Sequence, residues 1–356
     1  MNRVLRQDFD RIISDPGIDW QCLKDASFFV TGATGLVGSL LVKTLLEAGK
    51  ALGGTLKVYA LARNEEKARS VLGKYADSDA LQLVIGDVRQ EIELHEPVDY
   101  VIHTASVTTS KYMVSNPVDT LMTAVLGTEN VLQLAKKHGV KGAVYLSSME
   151  VYGQTKSEEN PVTEEKLGYV DVLKARSSYP EGKRACECLC AAYAMQYGLP
   201  VKIARLAQTF GAGVSRSEGR VFAQFAKSCL NGEDIVLHTT GRSMGNYCYT
   251  ADVISALLIL LCKGENGKAY NVVNENTAMQ ICQMAQLVSD TLTNGQTKIV
   301  FDIPEDALTY GYAPDVTMRL SGAAMRELGW NAKTDLPEMF IRMCESWREE
   351  EEAGKE

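Results

Sequence analysis

Tyr179 and Lys183 stand four residues apart in Ser178-Tyr179-Pro180-Glu181-Gly182-Lys183. On a helix, residues i and i+4 share a face, so this phenol and ammonium come side by side. A free tyrosine titrates near ~10, and an adjacent ammonium favours its phenolate. Such a pair can take a proton from a hydroxyl while a hydride leaves the same carbon. Leu146-Ser147-Ser148 closes the apolar run that begins at Ala143, where a hydroxyl can orient the reacting oxygen and stabilise its changing charge. Met149 and Glu150 follow it, a thioether that cannot donate a proton and a carboxylate.

A hydride needs a carrier. Phe28-Phe29-Val30 leads into Thr31-Gly32-Ala33-Thr34-Gly35-Leu36-Val37-Gly38 and then a helical stretch. Glycines at this spacing allow a tight turn and close approach of a pyrophosphate, and the helix start offers amides and a positive dipole end. Gly32, Thr34, Gly35, Leu36, Val37 and Gly38 are therefore candidate dinucleotide contacts. The next strand ends Leu61-Ala62-Arg63-Asn64, without the acid that would bind the ribose of NAD. A guanidinium suits a 2′-phosphate, so Arg63 favours NADP over NAD, unless it stacks on adenine or points to solvent. Asp87 and Val88, after the third strand, are placed to flank the adenine.

The elements that must hold these residues are legible in the alternation along the chain. Strands are predicted at Phe28–Thr31, Lys57–Ala62, Leu81–Gly86, Tyr100–Thr104, Ala143–Ser147 and Val201–Arg205, with helices near 36–49, 64–74, 117–138 and 179–197. Unbroken apolar strands separated by helices predict an α/β fold, a doubly wound parallel sheet covered on both faces. After Arg205 the alternation weakens. The expected organisation is a helical extension at 1–25, a dinucleotide-binding domain at 26–205 to which 246–262 returns, and a smaller C-terminal substrate-binding α/β domain from 206–245 and 263–356.

Composition narrows the class. Of 356 residues, 46% are hydrophobic and 23% charged, with 37 Lys plus Arg against 45 Asp plus Glu, a net charge of -8. An acidic chain without a basic run is a poor binder of nucleic acid or anionic membrane. Met1–Asp10 carries no apolar signal core, and the longest apolar run, Ile254–Cys262, is too short to span a bilayer. Nine cysteines, four histidines and no paired metal spacing predict a cytoplasmic protein with reduced thiols and no metal site.

The glycine turn, Gly86-Asp87-Val88, His103-Thr104-Ala105, Ser147-Ser148-Met149-Glu150-Val151-Tyr152-Gly153, Tyr179-x-x-x-Lys183, Tyr249-x-x-Asp252 and Leu328-Gly329-Trp330 together resemble the extended short-chain dehydrogenase/reductase family, in its nucleotide-sugar epimerase/dehydratase/decarboxylase branch, over roughly residues 26–335. The resemblance implies a Ser148, Tyr179, Lys183 triad, with Lys183 also holding the nicotinamide ribose and Thr104 and Ala105 beside the cofactor. It implies a nucleoside-diphosphate sugar oxidised at C4, chemistry made easy by the 4-keto group, and a homodimer through a four-helix interface. Glu150 resembles the carboxylate of relatives that work at C5 and C6, and Met149 removes the acid a dehydratase would want. Decarboxylation therefore survives Met149 better than dehydration. A carboxylate substrate would nonetheless meet Glu150 as a like charge unless Glu150 is protonated or an arginine intervenes. Simple 4-epimerisation and an NADPH-dependent keto-sugar reduction stay open. Lys111, Arg205, Gln208 and Arg242 are the candidate sugar and pyrophosphate contacts. Gln208 stands where the family often has Asn, and Arg242 near where it has an Arg that is Gly245 here.

Overall fold

A computed structural model of the chain describes residues 2–303 and 316–353; the end of the acidic tail, 354–356, lies outside them. Six apolar runs form β1 (Ser27–Thr31), β2 (Lys57–Ala62), β3 (Leu81–Ile85), β4 (Tyr100–His103), β5 (Gly142–Ser148) and β6 (Val201–Leu206), each within one residue of its predicted ends. Further on come β7 (Gln208–Phe210), β8 (Ile235–Leu237), β9 (Met244–Tyr249), β10 (Ala269–Val272), β11 (Asn274–Gln280) and β12 (Ile299–Phe301). The large sheet runs β10-β6-β5-β4-β1-β2-β3, parallel throughout. Residues 269–272 were assigned to the smaller domain, with no strand expected there. Strand β10 pairs with β6 instead, so the segment that returns to the large sheet continues past 262 to Val272. Two smaller sheets, β11-β9-β7 and β12-β8, make up the remainder.

The helices are α1 (Arg3–Ile13), α2 (Trp20–Leu23), α3 (Leu36–Leu52), α4 (Glu65–Leu72), α5 (Ser110–Ser115), α6 (Pro117–His138), α7 (Ser178–Tyr197), α8 (Val221–Asn231), α9 (Thr250–Lys263), α10 (Ile281–Thr293), α11 (Ala323–Glu327) and α12 (Leu336–Ala353). Alternate strand residues divide the core. Phe28, Val30, Ile102, Val144 and Ala204 join the layer filled by α3 and α9, whereas Phe29, Val101, Val201 and Ile203 join that of α6 and α7. The run Ile254–Leu261 is apolar on every side because α9 lies between the sheet and the helices α1 and α3. Among the described residues no helix is long and apolar enough to cross a membrane. The chain winds outward from β1 to β3, then returns to β4 on the other side of β1. That reversal opens a crevice at the carboxyl ends of β1 and β4.

The N-terminal extension is part of the core. Val4, Leu5, Phe9 and Ile12 bury one stripe of α1, while Ile13, expected in that stripe, is only half-buried. The opposing polar groups converge on Tyr249-x-x-Asp252. Asp8 accepts hydrogen bonds from the Tyr249 hydroxyl at 2.7 Å and from Arg342 at 2.8 Å, and Arg342 also donates to the Tyr249 oxygen at 3.0 Å. Asp252 accepts from Arg11 at 3.2 Å and from the amides of Lys333 and Thr334 at 3.1 and 3.0 Å. Trp330 is buried and donates to the Asp252 carbonyl and the Ser255 hydroxyl. Burial pushes the Asp8 carboxyl above the usual range, against the pull of Arg342, Tyr249 and Arg11. Asp8→Ala removes the carboxylate that Arg342 and the Tyr249 hydroxyl share and is expected to cost about 3 kcal/mol, whereas Asp8→Asn, which keeps an acceptor for Tyr249, should cost less. Urea denaturation checks this: a loss of under about 0.5 kcal/mol for Asp8→Ala would show that the network is no clamp.

Candidate active site

The glycine turn sits at the crevice. Gly32 adopts φ +65°, and a Cβ there would come 2.6 Å from the Thr104 hydroxyl and 2.8 Å from the Ala105 amide. A Cβ on Gly38 would lie 2.2 Å from the Gly32 carbonyl. Only hydrogen fits at either position. Gly35 donates to the Gly32 carbonyl at 2.8 Å, and α3 then begins with no side chain capping it. Thr34, Leu36 and Val37 are half-buried around this helix start, and Gly35 is exposed. The Thr31 hydroxyl ties β1 to the end of β4 by accepting the amides of Thr104 and Ala105, each at 3.1 Å. Its hydrogen therefore goes to His103 Nδ1 at 2.7 Å, which leaves Nε2 to donate to the Thr128 hydroxyl at 3.2 Å. Burial first, and the Lys183 charge second, hold His103 down to about 3, so it is neutral. A glycine cradle, an uncapped helix start and a backbone held flat beside it fit a dinucleotide pyrophosphate.

At the adenosine end, Arg63 is exposed after β2. Asp87 is gripped by Arg89, whose Nη2 and Nε donate at 2.9 and 3.2 Å and whose amide donates at 2.9 Å. Those bonds, with a smaller contribution from Arg63, hold the Asp87 carboxyl below its usual range. Val88 turns inward and packs over Gly127 of α6, which makes it a core residue at the side chain.

Ser148 ends β5 and Tyr179 stands in the first turn of α7, near enough that the Ser148 hydroxyl lowers the Tyr179 phenol. Lys183, buried one turn further on, donates to the Leu146 carbonyl at 2.6 Å and lies 5.8 Å from the Tyr179 ring centre. The structure thus brings the three residues together, yet their titration differs from the expectation. Tyr179 is pushed up to about 12, chiefly by burial and then by the Glu150 charge, against the Ser148 bond and the charges of Arg176 and Arg220. Burial brings Lys183 down to about 8, which blunts the ammonium that was to favour the phenolate. At neutral pH the Tyr179 phenol is therefore protonated.

Glu150 reaches this cluster on the short turn Met149–Tyr152 and is not alone there. Arg176 Nη2 lies 2.8 Å from each of its carboxylate oxygens, and the guanidinium carbon sits 5.5 Å from the Tyr179 ring centre. Sequence reasoning missed Arg176. Its one signal is its position three residues before Tyr179, which puts it on the turn leading into α7. Arg220, at the start of α8, is near enough for its charge to lower Tyr179.

Arg205 was expected at the sugar pyrophosphate, and the structure turns it elsewhere. Its guanidinium is buried and donates to both Glu187 oxygens, to the Tyr152 hydroxyl at 3.0 Å and to the Glu164 carbonyl at 2.6 Å, which turns it into the protein interior. Glu187, also missed, accepts from Ser147 as well. Lys111, Gln208 and Arg242 are exposed, on α5, at the start of β7 and in the loop before β9, and none is hydrogen-bonded to Ser148, Tyr179 or Lys183. Among the described residues no group of three or more His, Cys, Asp or Glu side chains is arranged to hold a metal ion.

Sheet, glycine cradle and Ser-Tyr-Lys cluster together define an NAD(P)-dependent enzyme. Residues 28–274 match the NAD dependent epimerase/dehydratase family, and the chain belongs to it. UDP-glucuronic acid decarboxylase 6 of Arabidopsis thaliana is 30% identical over 343 residues, spanning 92% of this chain and 92% of that protein. Two solved structures share the fold. A UDP-glucose 4-epimerase of Thermotoga maritima, with UDP-glucose, superposes with a TM-score of 0.74 at 22% identity, over 91% of this chain and 99% of that one. A dTDP-glucose 4,6-dehydratase of Streptomyces venezuelae, with NAD bound, gives 0.73 at 23% identity, over 92% and 98%.

Because the Glu150 charge raises Tyr179, Glu150→Gln should move the acid limb of the pH profile of kcat/KM to lower pH, by about one unit. Measured on the cofactor-loaded enzyme, an unmoved limb would remove Glu150 as an electrostatic neighbour of the base.

Proposed function

We propose that the enzyme decarboxylates a nucleoside-diphosphate uronic acid through a 4-keto intermediate. The observation that carries this reading is the Arg176–Glu150 ion pair beside Tyr179, with Met149 where a dehydratase needs an acid. An intervening arginine answers the like-charge objection to a carboxylate substrate. The similarity to UDP-glucuronic acid decarboxylases over most of the chain supports the same choice.

In this reading Tyr179 takes the O4 proton, with Ser148 hydrogen-bonded to the same oxygen and Lys183 holding the phenol's surroundings electropositive. When bound, the nicotinamide supplies reversible hydride acceptance at C4, and Lys183 contacts its ribose. A C4 ketone makes the C5 carboxylate a β-keto acid. The C5–C6 bond then breaks, carbon dioxide leaves, and the electron pair becomes an enolate at O4, where the Tyr179 hydroxyl and Ser148 donate to it; a proton from water restores C5, and Tyr179 returns its proton to O4 as the C4 alcohol is re-formed. Arg63 favours NADP through its 2′-phosphate. The small sheet β11-β9-β7 and the helices around it hold the nucleotide sugar. Nine free cysteines suit the reducing cytoplasm.

The deciding experiment incubates the purified enzyme with UDP-glucuronate and reads the product by mass spectrometry, with no reductant added. Loss of one carbon dioxide is expected from the wild type. Tyr179→Phe should lower the rate by about a thousandfold or more while the nucleotide stays bound, and the extracted nucleotide should carry the extra phosphate of NADP. No change with UDP-glucuronate, but loss of water or an isomer with a UDP- or dTDP-hexose, would replace the reading by dehydration or epimerisation. Turnover only with added NADPH would replace it by reduction.

We also propose a homodimer through α6 and α7. Val118, Met122 and Leu126 form an exposed apolar stripe at i, i+4 and i+8, 72%, 38% and 40% exposed. Replacing Val118 and Met122 by glutamate should convert a sedimenting dimer to monomer; an unchanged sedimentation coefficient would place the interface elsewhere.

A further inference from the structure

We infer that Arg176 is the residue by which the site selects a uronate over a neutral hexose, passing from Glu150 to the substrate carboxylate when the sugar binds. This rests on the decarboxylase reading and adds to it the group that recognises the carboxylate. Three observations carry it.

Arg176 is only half committed. Nη2 serves both Glu150 oxygens, but Nη1 is enclosed and has no hydrogen-bond partner among the described residues. An enclosed donor without a partner costs about 1–3 kcal/mol, a cost that a bidentate carboxylate ligand would remove.

The pair faces the reacting centre and is open to it. Arg176 and Glu150 side chains are 35% and 38% exposed, so an incoming anion can reach either, and the guanidinium overlooks the Tyr179 ring. The two other cations near Tyr179 are engaged elsewhere. Lys183 donates to the Leu146 carbonyl in the interior, and Arg220 is bound to Glu218 at 2.8 Å.

The electrostatics favour an exchange of partner. A carboxylate arriving beside Glu150 alone would be repelled, whereas one that takes the guanidinium meets its fork of donors. A neutral hexose offers nothing to replace Glu150, so for it the pair stays closed. Arg176 acts in selection rather than in bond breaking, because a cation held on the carboxylate opposes its departure as neutral carbon dioxide. Its loss should therefore weaken binding more than it lowers kcat.

The test measures Kd by calorimetry for UDP-glucuronate and UDP-glucose, on cofactor-loaded Tyr179→Phe enzyme so that nothing turns over. That protein should bind UDP-glucuronate more tightly. Adding Arg176→Gln should weaken UDP-glucuronate by about tenfold or more and UDP-glucose by less than about threefold. Arg176→Lys should recover part of the difference. Glu150→Gln, which keeps the arginine and removes its competitor, should tighten UDP-glucuronate, and it provides a reading if Arg176→Gln fails to fold. Equal affinity for the two sugars in the Tyr179→Phe enzyme, or an unchanged ratio after Arg176→Gln, overturns the inference. Carbon dioxide release by the wild type together with that unchanged ratio leaves the decarboxylase reading standing without Arg176. A ratio lost with Arg176, in an enzyme that releases no carbon dioxide, keeps the uronate receptor and overturns decarboxylation.

Discussion

The geometry of the site depends on one buried ion pair. Arg205 on β6 and Glu187 on α7 meet with both Nε and Nη2 on the carboxylate, at 2.9 and 2.7 Å. Around them, Ser147 donates to Glu187, Tyr152 accepts from Arg205 and donates to Asn271 at 2.6 Å, and Asn271 of β10 reaches the carbonyls of Val162 and Ser321. Glu187 stands four residues after Lys183 on one face of α7, and Ser147 directly precedes Ser148. The pair thereby fixes the distance between the end of β5, which carries the serine, and the helix that carries the tyrosine and lysine. Burying two charges is costly, and removing one partner of such a pair costs about 3–5 kcal/mol, so the connection is costly to loosen.

Above that base the site is poised rather than ready. Tyr179 held up to about 12 and Lys183 brought down to about 8 describe a pocket whose burial disfavours both charged forms. A cationic nicotinamide beside the phenol would shift the balance toward phenolate, so the base becomes competent only when the cofactor is in place. Glu150 opposes that shift and Arg176 assists it. Their pairing therefore governs the base as well as the ligand, and the two effects share a single contact.

How much of this was legible depended on whether a feature is local. The glycine turn and the Tyr179-x-x-x-Lys183 spacing act within a few residues of backbone, where φ +65° at Gly32 and one helical turn are matters of short-range sterics. The six main strands are apolar runs, five of them largely buried and β3 at the sheet edge, and were found almost to the residue. Strand β10 was missed because it carries Asn271 in its middle, whose polar side chain is satisfied only by the Tyr152 hydroxyl and the carbonyls of Val162 and Ser321. Arg205 was misread for a related reason: an arginine after a strand looks available until its partner, eighteen residues back on a helix, is seen.

The sequence by itself determined the doubly wound sheet, the glycine turn and the placing of Tyr179 and Lys183 on one helix face. Each is written in steric rules and periodicities that operate over one element. Only the tertiary structure decided which charges face one another. It assigned Arg205 to Glu187, Arg176 to Glu150, and Asp8 of the extension to Tyr249 and Arg342. Charge pairing acts through space and depends on burial, and neither the partner's distance nor the surrounding solvent can be read from spacing along the chain.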